Sequence, residues 1–319
     1  MSNGALINLN SIAQNKFQDP LVTAKGEKRA TVTLTKLRTL WFNTGSLCNI
    51  TCVNCYMESS PKNDAIAYLT LREVTEYLDE IKAECLDVEE IAFTGGEPFM
   101  NTNLIEMLYQ VLSRGFKSLV LTNAMKPMAH QYDALLDLKQ KFGEALCLRV
   151  SMDHYSPVHH EKERGLKTWE PMINGLRWLS ANGFNIAVAG RTCWGETDDQ
   201  ARAGYSKLFK KEGILINSQM IGSLVLFPEM NAKSDVPEIT TNCWKILDVA
   251  PETMMCATSR MVVKRRGADR AVIVPCTLLP YDTAFELGHK LSQSSKKVHL
   301  NHPHCAKFCV IGGASCSGG

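Results

Sequence analysis

Cys48, Cys52 and Cys55 stand in the run Cys48-Asn49-Ile50-Thr51-Cys52-Val53-Asn54-Cys55, a C-x3-C-x2-C spacing. Three thiolates on one tight loop can hold three corners of a cubane iron–sulfur cluster. An electron-transfer cluster takes four cysteines, and the next one along, Cys85, is well downstream and expected inside a helix. One iron is therefore left open to a small chelating ligand. The competing readings are a zinc site, completed to a tetrahedron by a distant His or Cys, and chance clustering.

A second group of thiols lies towards the end: Cys256, Cys276, Cys305, Cys309 and Cys316. Cys256 and Cys276 flank Met261–Val263 and Ala271–Pro275, which read as a β-hairpin turning at Arg266-Gly267-Ala268. A hairpin and a tail drawn together around a metal is how small metal domains fold. His302 and His304 flank Cys305 and read as surface histidines. Cys85, Cys147, Cys193 and Cys243 stand alone and read as small buried hydrophobes.

A third signal is Ile91-Ala92-Phe93-Thr94-Gly95-Gly96-Glu97-Pro98, a strand ending in two glycines, an acid and a proline. Paired glycines admit close approach of a ligand to the backbone, and Glu97 could accept hydrogen bonds from a cationic amine. An ordinary strand-to-helix turn is the plainer alternative.

These residues need a scaffold. Short apolar runs recur at Leu40–Asn43, Ile91–Thr94, Ser118–Thr122, Cys147–Ser151, Asn185–Gly190 and Ile214–Gln219, with helical patterns between them. Thr70-Leu71-Arg72-Glu73 fits a capping box, and Leu71, Val74, Leu78 and Ile81 follow at helical spacing. A second helix is expected from about Thr168 to Asn182, ended by Gly183. Strand starts about 30 residues apart match the length of a βα unit. The fold class expected is α/β, an incomplete TIM-like (β/α)6 barrel with a parallel sheet inside and helices outside. Chemistry in such barrels sits at the C-terminal strand ends, where Cys48, Gly95, Asn123, Asp153 and Arg191 all fall. The domain reading is an arm over 1–37, the barrel over 38–235, and a small cysteine-rich extension over 236–319.

Composition sets the class. A net charge of +2 has none of the electrostatic footprint of a nucleic-acid binder. No run of about 18 apolar residues predicts a membrane span, and the first residues lack a signal-peptide pattern. A cytoplasmic location follows, and in a reducing compartment clustered cysteines read as ligands, not disulfides.

C-x3-C-x2-C after the first strand and GGEP after the second resemble the leading motifs of the radical S-adenosylmethionine superfamily. The resemblance implies an enzyme in which Cys48, Cys52 and Cys55 ligate a [4Fe–4S] cluster. The cofactor, S-adenosylmethionine, would chelate the open iron; Gly95, Gly96 and Glu97 would hold its amine, with Pro98 among the cofactor-binding residues. Reductive cleavage then gives a 5′-deoxyadenosyl radical that takes hydrogen from the substrate. Thr122-Asn123 resembles the family's TN pair, Ser151-Met152-Asp153 its S-x-D segment, and His160 with Arg164-Gly165 its H-x-x-x-R-G stretch. Arg191 could neutralise the cofactor carboxylate. One departure is Asn54, where an aromatic residue usually precedes the third cysteine, so adenine binding is in question.

The hairpin, the Pro275-Cys276 pair and Glu286-Leu287-Gly288 resemble the SPASM and twitch extensions of the same superfamily, which carry auxiliary clusters. Five thiols suit one auxiliary [4Fe–4S] cluster with one to spare; with Cys243, two incomplete clusters are conceivable, and a structural zinc is the alternative. The implied partners are a reductant such as flavodoxin or ferredoxin and an unidentified substrate, small molecule or peptide, with no nucleic acid and no membrane. The 37 residues before the barrel are too few for a leader-peptide-binding domain. The rival class is a non-catalytic iron–sulfur or zinc protein in electron transfer or sensing.

Overall fold

The structure, a computed structural model, describes residues 16–228 and 235–313. Strand β1 (Thr31–Val32) belongs to the arm. Six parallel strands follow: β2 (Thr39–Asn43), β3 (Glu90–Thr94), β4 (Lys117–Thr122), β5 (Leu146–Ser151), β6 (Asn185–Arg191) and β7 (Leu224–Phe227). Helices α1 (Leu71–Ala83), α2 (Leu104–Ser113), α3 (Lys126–Ala129), α4 (Tyr132–Phe142), α5 (Pro157–Arg164), α6 (Trp169–Ala181) and α7 (Asp198–Glu212) connect them. This is the expected partial (β/α)6 architecture. Every residue of β2 is buried, because a strand covered on both faces has no solvent side. Alternation then sorts them: Leu40 and Phe42 pack with Val74, Leu78, Phe93 and Leu108 under the helices. Trp41 and Ala92 face the other way and pack with Met254, Met255 and Met261 of the extension.

The expected capping box opens α1: the Glu73 amide donates to Thr70 Oγ1 at 3.3 Å and the Thr70 amide to Glu73 Oε2 at 2.9 Å. α6 buries Ile173, Leu176 and Leu179 fully, and Gly183, at φ +67°, lets the chain turn away. Two expectations are corrected. Ile214–Gln219 is not a strand; Ile214 closes the end of α7 through its amide to the Phe209 carbonyl, and Leu215 is 85% exposed. The sixth strand is Leu224–Phe227, whose apolar residues, unlike Leu215, lie against β6. Cys85 is not in a helix and not buried: it follows the α1 cap at φ +49° and is exposed.

The short helix α8 (Cys243–Ile246) and two further strands, β8 (Ser259–Val263) and β9 (Val272–Val274), follow. β8 and β9 form the expected hairpin, antiparallel with Met261 opposite Val274. β8 also pairs in parallel with β2, so the sheet runs β7-β6-β5-β4-β3-β2-β8-β9 across the expected boundary at 235/236. Strand β10 (Val298–His299) pairs with β1, and the nearly inaccessible Arg29–Glu238 ion pair (2.5 Å) fastens the arm to the extension. The described chain ends in a π-helical turn, Cys305–Ile311. No helix among the described residues is long and apolar enough to cross a membrane.

Candidate functional site

A cavity of about 990 Å³ opens at the C-terminal ends of the strands. Cys48, Cys52 and Cys55 from the loop after β2, Gly95 and Gly96 after β3, Asn123 after β4, Ser151 and Asp153 after β5, and Arg191 at the end of β6 all line it. Phe227 from β7, and Leu278 and Phe308 from the extension, complete the wall.

The cysteine loop is held on three sides. The Gly96 amide donates to the Gly45 carbonyl (2.8 Å) and the Glu97 amide to the Leu47 carbonyl (3.0 Å). A Cβ on Gly96 would lie 2.1 Å from the Leu47 oxygen, and one on Gly95, at φ +145°, 2.5 Å from the Gly45 oxygen. The two glycines are thus demanded by this backbone-on-backbone contact. On the second side, Asn123 Nδ2 donates to Asn49 Oδ1 at 2.8 Å. On the third, the Val53 amide donates to the Glu163 carbonyl (2.7 Å) and Asn54 Nδ2 to the Glu163 carboxylate (2.9 Å). From the extension, Tyr281 Oη donates to the Met57 carbonyl at 2.6 Å.

Glu97 and Pro98 do not line the cavity. Glu97, 1% exposed, accepts from Thr122 Oγ1 (2.8 Å) and the Phe99 amide (3.2 Å) on Oε1 and from the Asn123 amide (2.8 Å) on Oε2. It joins β3 to β4, while Pro98 begins the turn behind it. Burial pushes its carboxyl up to about 7 against those three donors. Glu97→Gln is expected to lower stability by roughly 1–3 kcal/mol in chemical denaturation, because either amide orientation turns its NH2 on a backbone N–H. An unchanged midpoint would remove Glu97 from this role.

Asp153 is the electrostatic centre. Arg164 meets it through Nε–Oδ2 (3.0 Å) and Nη2–Oδ1 (3.2 Å), and Arg191 through Nε–Oδ1 (3.3 Å). Burial alone would raise its carboxyl, but Arg164 and then Arg191 outweigh that and hold it below the usual carboxylate range. Glu163 approaches Arg191 from behind at 4.0 Å, so two carboxylates balance the two guanidiniums, while Arg149, Arg164 and Arg191 line the cavity itself beside Asp153 and offer cationic groups to an anion. Arg191 Nη2 also donates to the Asn54 carbonyl at 3.2 Å. Asn54 itself does not line the cavity; the aromatic wall is Tyr56, Phe227 and Phe308. His160 is fully buried, without a hydrogen bond on either ring nitrogen, and packs edge-on to Trp169. Burial and then the Arg164 charge lower it to about 3, so it is a neutral packing residue behind Arg164.

A second, smaller cavity of about 380 Å³ lies in the extension, lined by Cys256, Cys276, Cys305 and Cys309 with Met254, Met255, Leu278, Leu279 and Leu300. His304 also lines it and is 7% exposed, so it is not the surface histidine expected; burial lowers it to about 4. Cys316 lies outside the described residues. Burial pushes Cys48 and Cys305 up to about 12 and Cys256 to about 11, so these pockets disfavour free thiolates, whereas a bound metal deprotonates its thiol ligands. No three described His, Cys, Asp or Glu side chains are grouped tightly enough to share one metal ion. The thiols ring cavities instead, which fits a cluster whose cysteines each bind a separate iron.

A profile of the Radical SAM superfamily matches residues 42–203, half of the chain, and spans the cysteine loop, the glycine loop and Arg191. The chain belongs to the Radical SAM superfamily. The antilisterial bacteriocin subtilosin biosynthesis protein AlbA of Bacillus subtilis is 29% identical over 143 residues, 44% of this chain and 30% of that protein. GTP 3′,8-cyclase of Synechocystis is 24% identical over 153 residues, 48% of this chain and 45% of its own length. The chain thus matches less than half of either curated relative. Streptococcus suis SuiB bound to the precursor peptide SuiA shares the fold at TM-score 0.59 and 10% identity, over 83% of this chain and 66% of that one. Native anSMEcpe with bound AdoMet does so at 0.56 and 14%, over 84% and 82%. These likenesses are of fold, and they reach beyond the family-matched stretch.

Sequence reading had brought the three cysteines, the glycines, Asn123, Ser151, Asp153 and Arg191 to one place, and the structure brings them there. It missed Arg149, Phe227, Leu278 and Phe308 as lining residues, while Tyr56, next to Cys55, was marked by its position. Arg149 carried a signal, as a charge inside an apolar strand run; the others had none.

Proposed function

We propose that this protein is a radical S-adenosylmethionine enzyme that modifies a peptide side chain and carries one auxiliary [4Fe–4S] cluster. The observation behind it is the convergence of Cys48, Cys52 and Cys55 with Gly95, Gly96, Asn123, Ser151, Asp153 and Arg191 on one cavity at the strand ends. A [4Fe–4S] cluster held by the three cysteines supplies, when bound with S-adenosylmethionine, the electron that cleaves the cofactor to a 5′-deoxyadenosyl radical. The protein's own part is placement. Gly95 and Gly96 present bare backbone to the cofactor amine, the Arg164–Asp153–Arg191 wall faces its carboxylate, and Tyr56 offers a surface for adenine. Met57, Leu121 and Leu278 are apolar neighbours that limit water around a reactive radical. Cys256, Cys276, Cys305 and Cys309 hold the auxiliary cluster, with His304 beside them.

The peptide substrate is supported by what similar proteins are named for: a bacteriocin biosynthesis protein and an enzyme solved with its precursor peptide. A cytoplasmic location and a low-potential donor such as flavodoxin or ferredoxin complete the reading.

The test is anaerobic reconstitution with iron and sulfide, then S-adenosylmethionine and a strong reductant, with 5′-deoxyadenosine quantified by chromatography. Formation is expected. Full iron loading with no product favours the electron-carrier class instead. A Cys256/Cys276/Cys305/Cys309→Ala variant is expected to lose about four iron atoms per chain while still forming 5′-deoxyadenosine. Unchanged iron content would refute the second ligand set.

A further inference from the structure

We infer that Arg260 is the built-in counter-cation of the cluster in the second cavity and raises its reduction potential. This rests on the auxiliary-cluster reading above.

Arg260 lies on β8, between the turn that carries Cys256 and the hairpin partner that leads to Cys276, and is 0% exposed. Its Nε donates to the Ser294 carbonyl (2.8 Å), and its Nη1 to the carbonyls of Cys256 (2.6 Å) and Ser259 (2.7 Å). Nη2 is buried and has no hydrogen-bond partner among the described residues. Four other arginines of low exposure meet a carboxylate: Arg29 meets Glu238, Arg164 and Arg191 meet Asp153, and Arg202 meets Asp198. Among the described residues Arg260 has no ion pair, and the acidic groups whose charges act on it are the thiols of Cys256 and Cys276.

A guanidinium cannot shed its proton in a protein, and a buried charge without an opposite one is strongly unfavourable. Neutral thiols do not balance it. Four thiolates around a [4Fe–4S] core do, since that assembly is net negative. The contact from Nη1 to the Cys256 carbonyl also fixes the turn that presents the first of these thiols. Net charge and surrounding donors are the levers by which a protein tunes cluster potentials. Arg260 does not itself line the cavity, but as a fixed cation bonded to the Cys256 carbonyl and acted on by two of the lining thiols it favours the more negative, reduced state.

The experiment uses the full chain with Cys48, Cys52 and Cys55 replaced by Ala, so that only the second cavity loads. Iron per chain is counted, and the reduced fraction is followed by electron paramagnetic resonance in a redox titration, with Arg260 intact, Arg260→Lys and Arg260→Gln. Arg260→Met is the second neutral variant, should Gln fail to fold. Loss of the charge is expected to lower the reduced-to-oxidised ratio at a fixed potential at least tenfold, a shift of 59 mV for one electron. Arg260→Lys is expected to stay near the parent. If iron loads and the neutral variants titrate with the parent, Arg260 has no such role and the cluster reading survives. If the second cavity takes no iron, or only zinc, the cluster reading fails and this inference with it.

Discussion

Replacing Cys48, Cys52 and Cys55 together by alanine is expected to abolish 5′-deoxyadenosine formation while leaving iron in the second cavity. The three side chains line one cavity, and the loop that carries them is anchored by other groups: Gly45, Leu47, Asn49 and Val53 make its ties to β3, β4 and α5. The loop should therefore keep its course without the thiols. Cys52 and Cys55 are only partly buried, which limits the packing lost. The rate is expected to fall more than roughly a thousandfold, at least about 4 kcal/mol of transition-state stabilisation, with about four irons per chain lost. Chromatography of the nucleoside beside iron analysis separates the two sites. Persistent 5′-deoxyadenosine in the triple variant would show that the cysteine loop has been misassigned.

Asp153→Asn is expected to be the most damaging single change at the cavity for stability. Asp153 is 3% exposed and faces two arginines whose side chains are 13% and 10% exposed. The amide keeps the shape and removes the charge, leaving two guanidiniums in a desolvated wall with Glu163, 4.0 Å from Arg191, as their remaining carboxylate. Breaking a buried pair in this way costs roughly 3–5 kcal/mol. The pH dependence has a defined sign. The folded-state carboxyl is held below its ordinary value, so its contribution is fully present above about pH 4, the ordinary Asp value, and is lost as the pH falls through the lower folded value. Denaturation midpoints of the two proteins should differ by a constant amount at pH 6–8 and converge only below about pH 4. A gap under about 1 kcal/mol at neutral pH, typical of an exposed pair, would show that the network does not hold the wall.

Much of the site could be read from local spacing. C-x3-C-x2-C and Gly95-Gly96-Glu97-Pro98 are contiguous in the chain, so their meaning does not depend on distant partners. The strands β2 to β6 and the helices α1 and α6 were legible for the same reason: burial on both faces writes a continuous apolar run, and burial of one face writes a helical period. The reading failed where a local pattern was ambiguous. Ile214-Leu215-Ile216 has the composition of a strand, yet it is the exit of α7, and nothing in its own residues says that Leu224–Phe227 is the run that pairs with β6. Glu97 was read by its motif as an amine ligand, whereas its three donors come from Phe99, Thr122 and Asn123, one of them on another strand.

The sequence by itself determined the family, the strand–helix alternation and the thiols of the first loop, because each is carried by residues close together along the chain. Tertiary structure alone decided the rest. It joined the extension to the barrel through β8 beside β2, placed Phe227, Leu278 and Phe308 in the wall of one cavity, and put His304 beside the thiols of the other. It also left Arg260 buried with no ion pair among the described residues. The physical reason is that charge balance and cavity shape depend on distances between segments far apart in sequence, and those distances are set by packing, which no local pattern encodes.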